Sequence, residues 1–340
     1  MSYTDVVTLG ETMVRLTPPN QRRIEQASTF DIEVGGSESN LAVGAARLGL
    51  RVTWLSRLPS SPLGRLVSNT LRGYGVDTAH VTWSASDRLG LYFLEEGAPP
   101  RGTQVIYDRV DSAMSRMQPT DLPEELFAPG NAKLLHLSGI TLALSDSAYA
   151  TAERALALAK AAGWTVSFDL NYRAKLWSLE EARRRCESFI QAADIFILPQ
   201  RDAQAIYALG DGLSGEATLL EMGQRFPTVA TIMTRGAEGA MALGPNSRTV
   251  LEQPVFPASG PGRVGGGDSF AAGFLYGYLS HTFQNVAASD DRVLAHALGW
   301  GAATAAVKQT IPGDIPVIDK QDVEALLSAS ATGASSRIRR

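Results

Sequence analysis

Among 340 residues there is one cysteine and there are four histidines. A single cysteine excludes an intramolecular disulfide and a zinc site built from several thiolates. The histidines, spread along the chain, form no metal-ligand spacing. Neither sign of charge dominates, since 31 Lys plus Arg against 35 Asp plus Glu leave a formal net charge of −4. That balance supplies no broad positive field for nucleic acid or an anionic membrane, although it leaves room for local anion pockets. No apolar run reaches the roughly 18 residues of a membrane span, and the opening MSYTDVVTLGE lacks the basic and apolar regions of a leader. The expectation is a cytoplasmic protein with neither nucleic acid nor membrane as partner.

Hydrophobic residues make up 44% and charged residues 19%, the composition of a globular chain. A short apolar strand at 5–9 closes at Gly10, and apolar side chains at helical spacing follow over 39–48. Gly49 is placed to end that helix before a strand at 51–55. Ser61-Pro62 reads as a cap plus first helical residue for a helix to 72. Residues 89–95 and 104–109 are strand-like with no helix between them, which predicts antiparallel strands of a small separate sheet. Further on, strands at 132–137, 164–168, 195–198 and 228–233 alternate with helices at 146–162, 178–193 and 216–225. Helices at 269–279, 291–308 and 319–327 complete the pattern. This rhythm predicts an α/β fold, a Rossmann-like three-layer sandwich with a mostly parallel central sheet and a small β-sheet lid. The expected division is a core of 1–12, 36–86 and 111–327, a lid of 13–35 and 87–110, and a flexible tail of 328–340.

Ligands of such sheets bind beyond the carboxyl ends of the strands. The segment best suited to that place is Gly265-Gly266-Gly267-Asp268, which runs into an apolar helix. Glycines let a backbone approach a ligand closely, and the free N–H groups of a first helical turn attract phosphate. An Asp in that turn is placed to take a proton from an attacking hydroxyl. The same residues also spell a tight loop with an N-capping Asp, and alone they leave both readings open. Arg173, just after a predicted strand, and Arg109, ending another, each carry a planar fork suited to a carboxylate. A solvated surface arginine is the alternative for each. Trp177 reads as a staple before a helix, His136 as a core residue, and Arg183, Arg184 and Arg185 as a solvated face. Cys186 beside them is open to a lowered pKa, with no nucleophilic role in view.

Three motifs taken together, VGGSESNLAV, Thr234-Arg235-Gly236 with Gly239, and GGGDSFAAGF, resemble the PfkB (ribokinase-like) family of sugar kinases. The ordered strings GETMVRLTPP, SRLPSSPLG, GLYFLE, VIYDR, LSGIT, DLNYRAKLW and TIPGD are most similar to its 2-keto-3-deoxygluconate kinase branch. The resemblance implies phosphorylation of the terminal hydroxyl of a sugar acid, 2-keto-3-deoxygluconate to its 6-phosphate. It also implies ATP and Mg2+ as cofactors and a homo-oligomer joined through lid strands. By the same resemblance Asp268 is the catalytic base, and Gly265, Gly266 and Gly267 form the anion hole. Gly36, Asn40, Tyr92, Tyr107, Arg109 and Arg173 are implied to bind the sugar acid, with Arg173 on its carboxylate. Thr234, Arg235, Gly236, Gly239, Gly301, Ala302 and Ala305 are implied to bind the nucleotide, and Asp202 to act on magnesium through water.

Some residues depart from that pattern. Gly262 stands where the family usually has an Asp that helps bind a monovalent cation, so the resemblance leaves such a cation undecided. Pro199 replaces an Asn associated with magnesium. Ser37 and Ser39 stand where alanines are common, which is expected to retune the sugar pocket, and Asp111 is expected to neutralise Arg109 in part. Two rival readings follow: a kinase for a neutral ketose or nucleoside, and a catalytically silent sugar- or nucleotide-binding protein. A dehydrogenase is disfavoured because no GxGxxG follows the first strand.

Overall fold

A computed structural model describes residues 3–210, 212–227, 229–260, 264–281 and 290–332. The chain opens with β1 (Thr4–Leu9), whose alternating side chains serve two cores: Val7 and Leu9 face one, Val6 the other. β2 (Met13–Thr17) and β3 (Asp31–Gly35) leave the main sheet before α1 (Ser37–Leu48). Gly49 ends α1 at a φ of 109°, a left-handed turn that favours glycine, as expected from the sequence. β4 (Val52–Leu55), β5 (Arg57–Pro59), α2 (Pro62–Gly73), β6 (Val76–Asp77), β7 (Thr82–Ser84), β8 (Leu91–Glu95) and β9 (Gln104–Asp108) follow. Then come β10 (Ala132–Ser138), α3 (Gly139–Leu144), α4 (Asp146–Ala161), β11 (Thr165–Asp169), α5 (Leu179–Ala192) and β12 (Ile195–Pro199). After α6 (Gln200–Ile206), α7 (Gly215–Arg225) and β13 (Ala230–Thr234), a hairpin of β14 (Ala240–Leu243) and β15 (Val250–Gln253) closes one sheet edge. The last elements are α8 (Gly266–Ser280), α9 (Asp291–Gln309) and α10 (Lys320–Thr332).

Nine strands form the main sheet in the order β15-β14-β13-β12-β11-β10-β1-β4-β6, parallel from β13 to β6. The α/β expectation holds, but the antiparallel hairpin β14–β15 is absent from the sequence reading because each strand has only four residues. The lid is a separate sheet, β3-β2-β8-β9, in which β8 and β9 are antiparallel as expected and β2 lies parallel to β8. From β1 the chain steps to β4 on one side and later returns to β10 on the other. That reversal opens a crevice at the carboxyl ends of the strands.

The helix that carries Asp268 is held by close packing. A Cβ on Gly273 would stand 2.6 Å from the Trp300 carbonyl oxygen, so glycine lets α8 lie directly against α9. Phe274, buried between α8 and the sheet, contributes about 1.5–3 kcal/mol as a fully buried side chain. α8 starts at Gly266, three residues before the start at 269 expected from sequence, because two of the glycines are themselves helical.

Candidate active site

A cleft of about 150 Å³ lies between the lid and the crevice. Its walls bring together Gly36, Asn40, Tyr92, Tyr107, Arg109, Arg173, Gly265 and Asp268 from five separate stretches of sequence. Asp268 sits in the first turn of α8, and Gly265 is the residue before that helix, with φ of 77°. The Asp268 carboxylate is no N-cap. Its Oδ2 accepts from Asn40 Nδ2 and its Oδ1 from Ser37 Oγ, each at 2.8 Å. Burial raises its pKa, while Asn40, Ser37 and the nearby Arg173 charge pull it back. Ser37 in turn accepts from Asn171 Nδ2 at 2.5 Å, and the Asn171 amide donates to Asp169. Asp169 is pushed up to about 8, mainly by burial and then by the Asp268 charge. The hydroxyl of Ser37 is thus part of the carboxylate's support, a more direct place than the pocket retuning expected from sequence.

The two arginines differ. Arg109 is buried and paired with Glu11, which also accepts from Ser112 Oγ. It lines the cleft, but its charge is answered by Glu11 and not by Asp111, which lies 3.6 Å from Arg116 instead. Arg173 follows β11, donates to the Tyr172 carbonyl at 3.0 Å, and meets no carboxylate within ion-pair distance among the described residues. Tyr107 lies beside Tyr92 with the rings tilted by 32° and their centroids 5.8 Å apart. The Tyr92 hydroxyl donates to Asp314 Oδ2, and Arg15 of β2 donates to Asp314 Oδ1 at 3.1 Å. Glu11, Arg15, Ser37, Asn171 and Asp314 are therefore structural members of this site, although only Ser37 drew comment from the sequence. Asp314 lies within the TIPGD string, which was the one signal available for it.

Beyond the first turn of α8 a second cavity, about 600 Å³, is lined by Thr234, Gly236, Gly239, Gly266, Gly267, Ala302 and Ala305. Cβ atoms built on Gly266 and Gly267 meet nothing within 4 Å, so the amide end of α8 faces open space on this side. Two expected members lie elsewhere. Gly301 is packed against Phe270, whose ring stands 2.9 Å from where a Cβ would be. Arg235 is largely buried and turned to Glu238 and Glu252. Asp202 lines neither cavity. It is buried, its pKa is raised by burial, and its Oδ1 accepts from Arg201 Nε at 3.2 Å. Its other oxygen is buried without a hydrogen-bond partner, which suits a water-mediated contact to a cation. No group of three or more metal-ligating side chains occurs among the described residues. A single carboxylate such as Asp202 fits magnesium held chiefly by phosphates and water. Gly262 lies outside the described residues.

Three positions resolve plainly. His136 is buried, bonded to Ser167 at 3.1 Å, and pulled down to about 3 by burial, which makes it a neutral core residue. Trp177 is buried in the core. Cys186 is fully buried, so burial pushes its thiol pKa up, the opposite of the lowering that its arginine neighbours left open.

A polar cleft under a lid, separated from a larger cavity by the amide end of one helix, defines a ribokinase-like phosphotransferase on an α/β core. The chain belongs to the pfkB family of carbohydrate kinases, matched over residues 3–320. It is 40% identical over 331 residues to a 2-dehydro-3-deoxygalactonokinase of Haloferax volcanii, covering 97% of this chain and 98% of that one. A 2-dehydro-3-deoxygluconokinase of Thermoproteus tenax is 32% identical over 282 residues, covering 81% and 82%. Among solved structures, a 2-dehydro-3-deoxygluconokinase from Thermotoga maritima superposes with a TM-score of 0.82 at 33% identity, covering 96% and 98%. Kinases of this family use ATP with a divalent metal.

Proposed function

We propose that the protein transfers the γ-phosphoryl group of ATP to the terminal hydroxyl of a 2-keto-3-deoxy sugar acid, the gluconate or its galactonate epimer. The observation that carries this reading is that the same cleft holds Asp268 and an arginine, Arg173, with no carboxylate of the described residues within ion-pair distance of it. A sugar acid placed with its carboxylate on Arg173 and its far hydroxyl at Asp268 uses both groups. A neutral sugar leaves Arg173 idle.

Bound ATP with magnesium supplies the electrophilic phosphorus. The chain supplies the rest. Asn40 and Ser37 hold the Asp268 carboxylate by one lone pair on each oxygen, which leaves acceptor capacity for the substrate proton. Gly265, Gly266 and Gly267 direct the amide end of α8 toward the transferring group, where the helix dipole favours negative charge. The lid residues Tyr92 and Tyr107 cover the cleft and limit water, so the sugar hydroxyl is the nucleophile. Asp202, in the first turn of α6, would hold hydrated magnesium through water, and the small residues of the second cavity would accept the nucleotide.

A coupled ADP-release assay with both sugar acids and matched neutral sugars tests the reading. Magnesium-dependent turnover confined to the acids is expected. Equal or better turnover of neutral sugars transfers the assignment to a neutral-sugar kinase. Binding of ATP and acid without phosphorylated product makes the chain a silent binder.

A further inference from the structure

Lys308, near the end of α9, has no part in the mechanism above. It is fully buried and meets no carboxylate within ion-pair distance among the described residues. Its ammonium donates instead to two backbone carbonyls, Ile311 O at 2.9 Å and Gly313 O at 2.8 Å. A buried charge with no direct counter-charge is destabilising, and methionine would fill much the same space without it. Carbonyl oxygens gathered on one positive charge are the surroundings that a hard cation takes. Lys308 places such a charge there on a tether.

The clamped turn, residues 311–314, backs onto the anion loop. The Asp314 carbonyl oxygen stands 2.5 Å from where a Cβ on Gly265 would be, and Lys308 Cε stands 3.6 Å from the same point. Gly265 is the left-handed residue from which α8 departs, so its position sets those of Gly266, Gly267 and Asp268. The lid grips the same turn from the other side, through Tyr92 and Arg15 on the Asp314 carboxylate. Burial lowers the Lys308 pKa, and the field of Asp314 opposes that shift.

We propose that Lys308 is a positioning residue, a tethered monovalent cation that clamps the 311–314 turn against Gly265. It thereby holds the anion loop and Asp268 in register, and this place in the enzyme needs no free cation. The activity part of the proposal rests on the kinase reading; the stability part does not.

Lys308→Ala and Lys308→Met are compared with the parent in potassium, ammonium and tetramethylammonium chloride at equal ionic strength. Loss of such a supporting contact is expected to lower kcat by about 10–100-fold in both variants, with KM for the sugar acid little changed. The alanine variant leaves a carbonyl-lined space, so potassium or ammonium restores its kcat and raises its Tm, whereas bulky tetramethylammonium does neither. Methionine fills the space, so that variant shows the loss without the rescue. The parent is indifferent to the choice of cation. A methionine variant with parental kcat overturns the proposal, and so does an alanine variant that responds equally to all three salts. If the alanine variant does not fold, the methionine variant decides by its kcat. If the parent phosphorylates no sugar, the kinase reading fails and the Tm contrast alone decides the role of Lys308.

Discussion

The cleft under the lid and the cavity beyond α8 meet at one helical turn and are built from opposite materials. The first is small and crowded with charge: Glu11, Arg109, Arg173, Asp268 and Asp314 all line it. The second is four times larger, about 600 Å³ against about 150 Å³, and its walls are mostly glycine, alanine, valine, phenylalanine and proline. One side is suited to discriminate by paired charge, where an unmatched partner costs about 30–1000-fold in binding. The other is suited to accept a flat, extended ligand by shape, with the phosphates drawn to the amide end of α8. Selectivity for the sugar should therefore be sharp and selectivity for the nucleotide base soft.

The hardest blow to this comparison falls where the two sides meet. Asp268→Asn keeps the acceptor for Asn40 but removes the base, and kcat is expected to fall at least about 100-fold. Calorimetry on the same sample should show sugar acid and ATP still binding within a few-fold of parent. Near-normal turnover would remove Asp268 from the chemistry. Next in size is Arg173→Ala, expected to lower kcat/KM for a sugar acid by about 30–1000-fold, in line with loss of a charge-assisted pair. Parallel kinetics on a neutral analogue should change only a few-fold, and equal losses would make Arg173 a support for its loop.

Legibility followed the same division. The glycines and Asp268 stand within one local string, so they could be read directly, and the arginine after β11 marks a strand's carboxyl end. The polar contacts that shape the cleft span long separations: Ser37 to Asp268 is 231 residues, and Arg15 to Asp314 is 299. No local pattern joins such positions. From sequence, Asp111 is the nearby partner expected to neutralise Arg109 in part, because its actual partner Glu11 lies about a hundred residues earlier, between β1 and β2. On the nucleotide side, Gly301 was placed with its neighbours Ala302 and Ala305, but a helix turns about 100° per residue and carries it to the α8 interface. The parallel sheet itself was legible from strand-helix alternation, whereas four-residue strands such as β14 and β15 carry too little periodicity to be seen.

The softer side is tested by Ala305→Leu, which intrudes on the second cavity. KM for ATP is expected to rise about tenfold, the scale of overpacking by a few methylenes, while KM for the sugar acid stays put. A shift in both would show that the two sides are not separate. The smallest effect is Ser37→Ala. Its hydroxyl holds the Asp268 pKa down, so removal raises that pKa, and the working carboxylate is lost at a higher pH as pH falls. The acidic limb of kcat/KM should move to higher pH, with about a threefold loss at neutral pH from one weakened hydrogen bond. An unmoved limb would show that Ser37 does not tune the base.

The central claim, that carboxylate recognition and phosphoryl transfer share one cleft, is tested most directly by competition. Protein, magnesium and limiting ATP are mixed with equal amounts of a 2-keto-3-deoxy sugar acid and a neutral sugar of the same length, and the phosphorus spectrum is followed. The account predicts one new phosphomonoester, on the terminal carbon of the acid. A phosphorylated neutral sugar in equal or greater amount, or ATP left intact while both ligands bind, would contradict it.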